Sequence, residues 1–190
     1  MSSIYDRSLH SPRGEVSLSA FAFLFSEIVQ YSQSRVESVA ELMSRLEELG
    51  YSIGQKSIEF LAARERLTRR EIRLVNMLQF ISTTFWKFLF NRSADNLERS
   101  IDSEDEFMLY DNHPITNTFI SVPADMGQLD CAALVAGMIA GVLDGARFGA
   151  RVTAHPLLDE VSRSNRTVYL VKFSTEVMER ERRLGGARET

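Results

Sequence analysis

Gly137, Gly141, Gly145 and Gly149 recur every four residues along an apolar segment that begins at Cys131. No other feature of the chain restricts its fold as much. At the 3.6-residue period of a helix, this spacing makes a smooth stripe without side chains. Such a stripe lets a helix lie close against the backbone of a sheet or of another helix. The same spacing serves helix dimers in membranes. Here, however, Asp144 and Arg147 interrupt the segment well short of the ~20 residues that a span requires. The other long uncharged apolar run, Leu74–Trp86, is too short as well. The glycines are read as a packing stripe.

The chain has 190 residues, enough for one domain with a sizeable core. Its 44% hydrophobic and 25% charged residues describe a folded chain rather than a disordered one. A net charge of -4 supplies no bulk basic field, so nucleic acid is not an expected partner. The single cysteine, Cys131, excludes a disulfide framework and fits a reducing compartment. The opening MSSIYDRSLHSPRG lacks the apolar stretch of a secretory signal, and position 2 is Ser where myristoylation needs Gly. The expectation is a cytoplasmic chain without a membrane span or lipid anchor.

Residues 1–14 are expected to form a flexible arm, and residues 15–183 a single domain followed by a tail over 184–190. A helix opens at Ser17 or Ser19, with Phe21, Leu24, Phe25 and Ile28 on one face. Leu18, Ala22 and Phe23 spread apolar surface to other sides, so this helix needs cover from more than one direction, by its own chain or a partner's. A second helix runs from Ser38 to Leu49, with a Ser38/Glu41 capping box and Gly50 as its terminator. A third covers Ser52–Arg66. Thr68 and Glu71 form another capping box ahead of the longest helix, Arg69–Phe90, about 33 Å at 1.5 Å per residue.

After Asn91 the pattern changes. Ser93–Ser100 reads as a short polar helix and Asp102–Glu106 as a solvated acidic loop. Glu106–Tyr110 and Thr116–Val122 read as a hairpin turning through Asp111–Pro114. Asp130 caps a helix over Cys131–Arg147. Ala150–His155 and Thr167–Phe173 form a second strand pair, and Ser174–Arg183 a charged closing helix. The fold class is α+β: four N-terminal helices, β-hairpin, helix, β-hairpin and C-terminal helix, an antiparallel sheet with a helical layer.

Catalytic and metal signatures do not assemble. Neither GxGxxG nor GxxxxGK[ST] is present, and there is no GxSxG elbow. His10, His113 and His155 are far apart and form no HExxH pair. The acidic run fails as an EF-hand because its sixth position is Phe107 rather than Gly. Cys131 reads as a small buried core thiol before a reactive one. Arg64, Arg66, Arg69, Arg70 and Arg73 make a local basic cluster whose Glu65 and Glu71 neighbours favour a salt-bridged helix surface. No catalytic residue, cofactor or metal ligand is assigned. The residues alone give an α+β binding or scaffold domain with surplus apolar surface on its first helix.

Several stretches carry a family resemblance. These are Glu15–Gln30 (EVSLSAFAFLFSEIVQ), Arg69–Ile72 (RREI), Phe85–Phe90 (FWKFLF), Ala94–Glu98 (ADNLE), Ile120–Pro123 (ISVP), Leu129–Ala133 (LDCAA), Gly141–Gly145 (GVLDG) and Arg151–His155 (RVTAH). In this order they resemble the small α/β subunits of TRAPP, the transport protein particle. The resemblance implies a vesicle-tethering role in an elongated complex on early Golgi membranes, acting between ER and Golgi. The assembled complex would be a guanine-nucleotide exchange factor for a Rab GTPase. A chain of this kind would be a structural link, a non-enzyme that pairs with the acylated α/β subunit and helps hold a longin-type subunit. It would meet the Rab only through the complex, and membranes only peripherally.

Two further expectations follow. The acylated family member carries a cysteine just ahead of its long helix, where this chain reads Arg64-Glu-Arg-Leu67. No covalent acyl group is expected, and core side chains should fill the channel. The candidate subunit interface is Phe21, Leu24, Phe25 and Ile28, with Leu42 and Leu46 from the second helix. The alternative function is a small-ligand or lipid-binding domain with an internal apolar channel.

Overall fold

The computed structural model describes residues 16–65, 70–122, 126–127, 129–158 and 165–186. The expected arm at 1–14 lies outside them. Three helical stretches come first: α1 (Leu18–Gln33), α2 (Val39–Arg64), and a long rod made of α3 (Leu74–Phe80), a π-helical turn (Ile81–Phe85) and α4 (Trp86–Phe90). The rest runs β1 (Asn96–Arg99), β2 (Glu106–Asp111), a short α5 (Ile115–Thr118), α6 (Ala133–Gly145), β3 (Ala150–Leu158), β4 (Asn165–Phe173) and α7 (Thr175–Gly186). The strands form one antiparallel sheet in the order β1-β2-β4-β3. The α+β class, with hairpin, helix, hairpin and closing helix, is as expected from the sequence.

Local boundaries differ for physical reasons. The second and third expected helices are one 26-residue helix, α2. Ser38 caps it as anticipated, its side chain accepting from Glu41 N at 3.2 Å. Gly50 is not a terminator, and among the described residues no glycine has positive φ. A Cβ on Gly50 would lie 1.9 Å from the Leu134 carbonyl oxygen, and one on Gly54 2.1 Å from that of Met138. On the facing helix, a Cβ on Gly137 would lie 2.1 Å from the Glu47 carbonyl and one on Gly141 2.2 Å from that of Tyr51. The two helices therefore touch backbone to backbone through reciprocal notches. The seam explains Gly137 and Gly141 of the stripe and the glycines in α2, whereas Gly145 faces the Ile58 side chain and Gly149 lies beyond the end of α6.

The long rod starts at Leu74, and Thr68 of the expected capping box lies outside the described residues. Its N-terminus is served instead by Glu181 of α7, which accepts from Leu74 N at 3.1 Å and from Arg73 Nε at 2.6 Å. A carboxylate from a distant helix replaces the local cap. The stretch expected as a polar helix over Ser93–Ser100 contains β1, so the first hairpin is β1–β2. Residues 116–122 form no strand, and Ile115–Thr118 is a helical turn after Pro114. An ionic knot sets this corner. Arg92 binds Asp111, Asp95 (3.4 Å) and the His113 carbonyl oxygen (2.9 Å), while Asp95 accepts from Asn112 N at 2.8 Å. At the far end α7 continues to Gly186, into what was expected to be tail.

The main core lies between the sheet and the helices. Leu61, Ile81, Phe85, Trp86, Ile139 and Tyr169 are among its fully buried members. Trp86 packs edge-on against Tyr169, with centroids 5.6 Å apart. A smaller core joins Phe25 and Val29 of α1 to Leu46, Cys131, Ala133 and Leu134.

Candidate interaction face

Helix α1 rests on the smaller core with one side only. Ser17 caps it by accepting from Ala20 N at 3.2 Å, which fixes where the helix starts. Phe25, Val29 and Ser32 point inward, and Phe21 stacks on Phe25 with centroids 5.7 Å apart. On other sides Val16 is 77% exposed, Phe23 78% and Leu24 62%, with Leu18 and Tyr31 also open. Arg35 lies over the Tyr31 ring at 4.1 Å. Leu24 and Tyr31, two turns apart, share one exposed stripe.

The six residues expected to form an interface therefore divide. Leu24 is exposed, and Phe21 and Ile28 are half-buried. Phe25 is 3% exposed, while Leu42 and Leu46 are completely enclosed within the chain. Helical spacing grouped Leu24 with Phe25 and Ile28, but in the folded chain Leu24 sits on the shoulder of that face. Phe23, Val16 and Tyr31 were not assigned. The signal for Phe23 was already visible in its position off the i, i+3, i+4, i+7 stripe. A groove of about 380 Å³ runs beside Tyr31 between Glu27, Ile28, Arg45 and Leu49.

Other candidate groups are placed in ordinary structural roles. Cys131 is buried, and desolvation, with Asp130 adding to it, pushes its thiol up to about 12. Asp130 accepts from Ala132 N at 2.9 Å, just ahead of α6. In the basic cluster, Arg70 donates to the Ala146 carbonyl and Arg73 pairs with Glu181. The acidic loop meets Lys172 through Glu106 (2.8 Å) and Asp105 (3.9 Å), and Arg182 through Glu104 (3.4 Å). Among the described residues no three His, Cys, Asp or Glu side chains gather as metal ligands, and no helix is long and apolar enough to cross a membrane. A second groove of about 470 Å³ lies between α2, the approach to α3 and the end of α6, lined by Ile58, Ala62, Arg70, Met77, Phe80 and Arg147.

Residues 21–174 match the family described as transport protein particle (TRAPP) component. The chain belongs to the TRAPP family. Trafficking protein particle complex subunit 5 of Dictyostelium discoideum is 48% identical over 177 residues, covering 93% of this chain and 95% of that protein. Subunit 5 of Homo sapiens is 44% identical over 185 residues, covering 97% and 95%. Subunit 31 of Saccharomyces cerevisiae is 29% identical over 241 residues, covering 95% and 83%. Among TRAPP structures, a subunit 3 from Naegleria fowleri covalently bound to palmitic acid superposes with a TM-score of 0.67 at 20% identity, covering 83% of this chain and 95% of that one. That likeness establishes a shared fold. The subunit 5 matches span nearly the whole chain, which places it with trafficking complex subunits of that kind.

Proposed function

We propose that this chain is a non-catalytic structural subunit of a TRAPP complex, and that the outer face of α1 is where it pairs with a neighbouring subunit. The observation that carries the reading is the exposure of Leu18, Phe23, Leu24 and Tyr31 on a helix whose opposite side is already packed. An apolar face of this kind costs solvation in an isolated chain and is relieved by a partner. Burying a side chain such as Phe23 or Leu24 contributes ~1.5–3 kcal/mol.

The partner is the acylated α/β subunit of the family, with a longin-type subunit held elsewhere on the chain. The complex acts as a Rab guanine-nucleotide exchange factor in ER-to-Golgi transport, with peripheral attachment to early Golgi membranes, and this chain meets the Rab only within it. The test is expression of the chain alone and together with the acylated subunit, followed by light scattering after size exclusion. A 1:1 heterodimer is expected. A stable monomer indifferent to that subunit overturns the pairing.

The groove of about 470 Å³ beside Ile58, Met77 and Phe80 supports a second reading, a small-ligand or lipid-binding domain. Native mass spectrometry of the purified chain separates the two: a co-purifying apolar ligand favours the second, and a bare chain mass favours the first.

A further inference from the structure

Strand β3 is an outer strand of the sheet. Ser174 N donates to the Gly149 carbonyl oxygen at 2.9 Å, and the register continues from Ala150 opposite Phe173. Backbone groups alternate in direction along an antiparallel pair. Residues 149, 151, 153, 155 and 157 thus turn their amide groups to β4, and Ala150, Val152, Ala154 and Pro156 turn theirs away. Among the described residues nothing on the outer side bonds to these groups. Pro156 has no N–H, so the free run ends there.

Beside this edge lies a groove of about 620 Å³. Gly137, Ala140, Ala150 and Val152 make its small or apolar wall, and Glu47 and Glu48 of α2 with the single base Arg151 leave it acidic. Glu47 is half-buried and forms no ion pair or hydrogen bond among the described residues. Its burial raises the carboxyl pKa, which Arg151 only partly offsets. A half-buried carboxylate whose burial Arg151 of the same groove only partly offsets is a site that a further basic group would stabilise.

We infer that the β3 edge accepts an extended segment of a partner protein, which pairs with Ala150, Val152 and Ala154 and places a lysine or arginine side chain beside Glu47 and Glu48. This surface is separate from the α1 face. Main-chain pairing supplies affinity, and the alternate side chains supply selectivity. A second copy of β3 fits less well. Ala150, Val152 and Ala154 again share one side of that strand and none of them is basic, while its Arg151 lies on the other.

The probe is a fluorescein-labelled nine-residue peptide alternating valine and lysine, titrated against the full chain and followed by anisotropy and amide hydrogen exchange. The controls alternate valine and glutamate, or carry N-methyl groups on the lysine-bearing backbone. Saturable binding is expected, with exchange at Val152 and Ala154 slowed at least tenfold. The glutamate and N-methyl peptides should bind at least tenfold more weakly. Ala154→Pro should abolish pairing, and Glu47→Lys, which leaves the backbone intact, should weaken it at least tenfold. Absence of saturable binding, unchanged exchange at those amides, or equal binding by either control peptide overturns the inference. A concentration-dependent dimer that protects the same amides overturns it in favour of self-pairing.

Discussion

The α2–α6 seam and the outer face of α1 are both apolar helix surfaces, yet they are finished in opposite ways. The seam is closed inside the chain by backbone meeting backbone at Gly50, Gly54, Gly137 and Gly141, and its rim is tied where Tyr51 donates to Asp144 at 2.5 Å. The α1 face presents Phe23 and Leu24 to solvent. Small residues make a joint that needs no partner and admits no change. Large exposed ones leave a surface that the proposed assembly would complete. Apolar content alone does not separate a closed seam from an open face, whereas residue size at the contact does.

Enlarging the seam is the strongest way to break this contrast. Gly50→Ala places a Cβ 1.9 Å from a backbone oxygen that cannot rotate away. Overpacking should cost ~3 kcal/mol or more despite the ~1 kcal/mol that alanine gains in helix propensity. Urea unfolding of the variant should show this loss, and an unchanged midpoint would mean that the helices separate without penalty. At the other surface, Phe23→Asp with Leu24→Asp should leave the isolated chain's stability within about 0.5 kcal/mol of the parent. The same pair should weaken association with the acylated subunit by about 100-fold, ~2.7 kcal/mol, in a calorimetric titration. A destabilised monomer with intact association would reverse the roles of the two surfaces.

Two smaller effects sharpen the comparison. Glu181→Gln should cost ~1 kcal/mol, because it weakens the charged cap at Leu74 N and the pair with Arg73. That loss should be the same with and without a partner bound at α1. Cys131 reports on α1 from below, since it shares the smaller core with Phe25 and Val29. Its folded-state thiol is pushed up to about 12 from an ordinary 9.0, so between those values the native chain holds a proton that the unfolded chain has lost. Stability is thus fully present below pH 9 and falls as pH rises toward 12, by up to ~1.4 kcal/mol per unit. Cys131→Ala should remove the part of the alkaline slope that sets in near pH 9 in a series of urea melts, leaving the part that buried Tyr169, its phenol raised by desolvation, adds above pH 10. Iodoacetamide labelling of the parent should slow further when the α1 partner is bound.

Much of the architecture was legible in the chain. Ser38 and Glu41 marked the start of α2 because a local hydrogen bond decides it. The glycine stripe announced a close helix contact because its spacing has few other uses in a segment interrupted by Asp144. Gly50 was misleading as a terminator: the gain from close packing with α6 outweighed its preference for a helix end, and that gain depends on a residue 84 positions away in sequence. The Glu181 cap and the Arg92 knot were hidden for the same reason, since both join residues far apart in the chain or across a turn. Of the surface residues, Leu24 was legible and Phe23 only half so. Periodicity gives the faces of a helix, and only the surrounding body determines which face is left uncovered.

The wide turn over Ile81–Phe85 has a consequence of its own. Trp86 N–H reaches back to the Ile81 carbonyl oxygen, five residues away, so the rod carries more residues per turn there than a regular helix does. The phase of every later side chain lags by about a quarter turn, which returns Trp86 to the stripe that begins with Leu74 and Leu78. The same widening leaves the Ser82 carbonyl oxygen to accept from Ala94 N at 2.8 Å, where the chain turns toward β1. Removing one residue from this stretch would be a lesion in two places at once, rotating an indole out of the interior and depriving the approach to the sheet of its anchor.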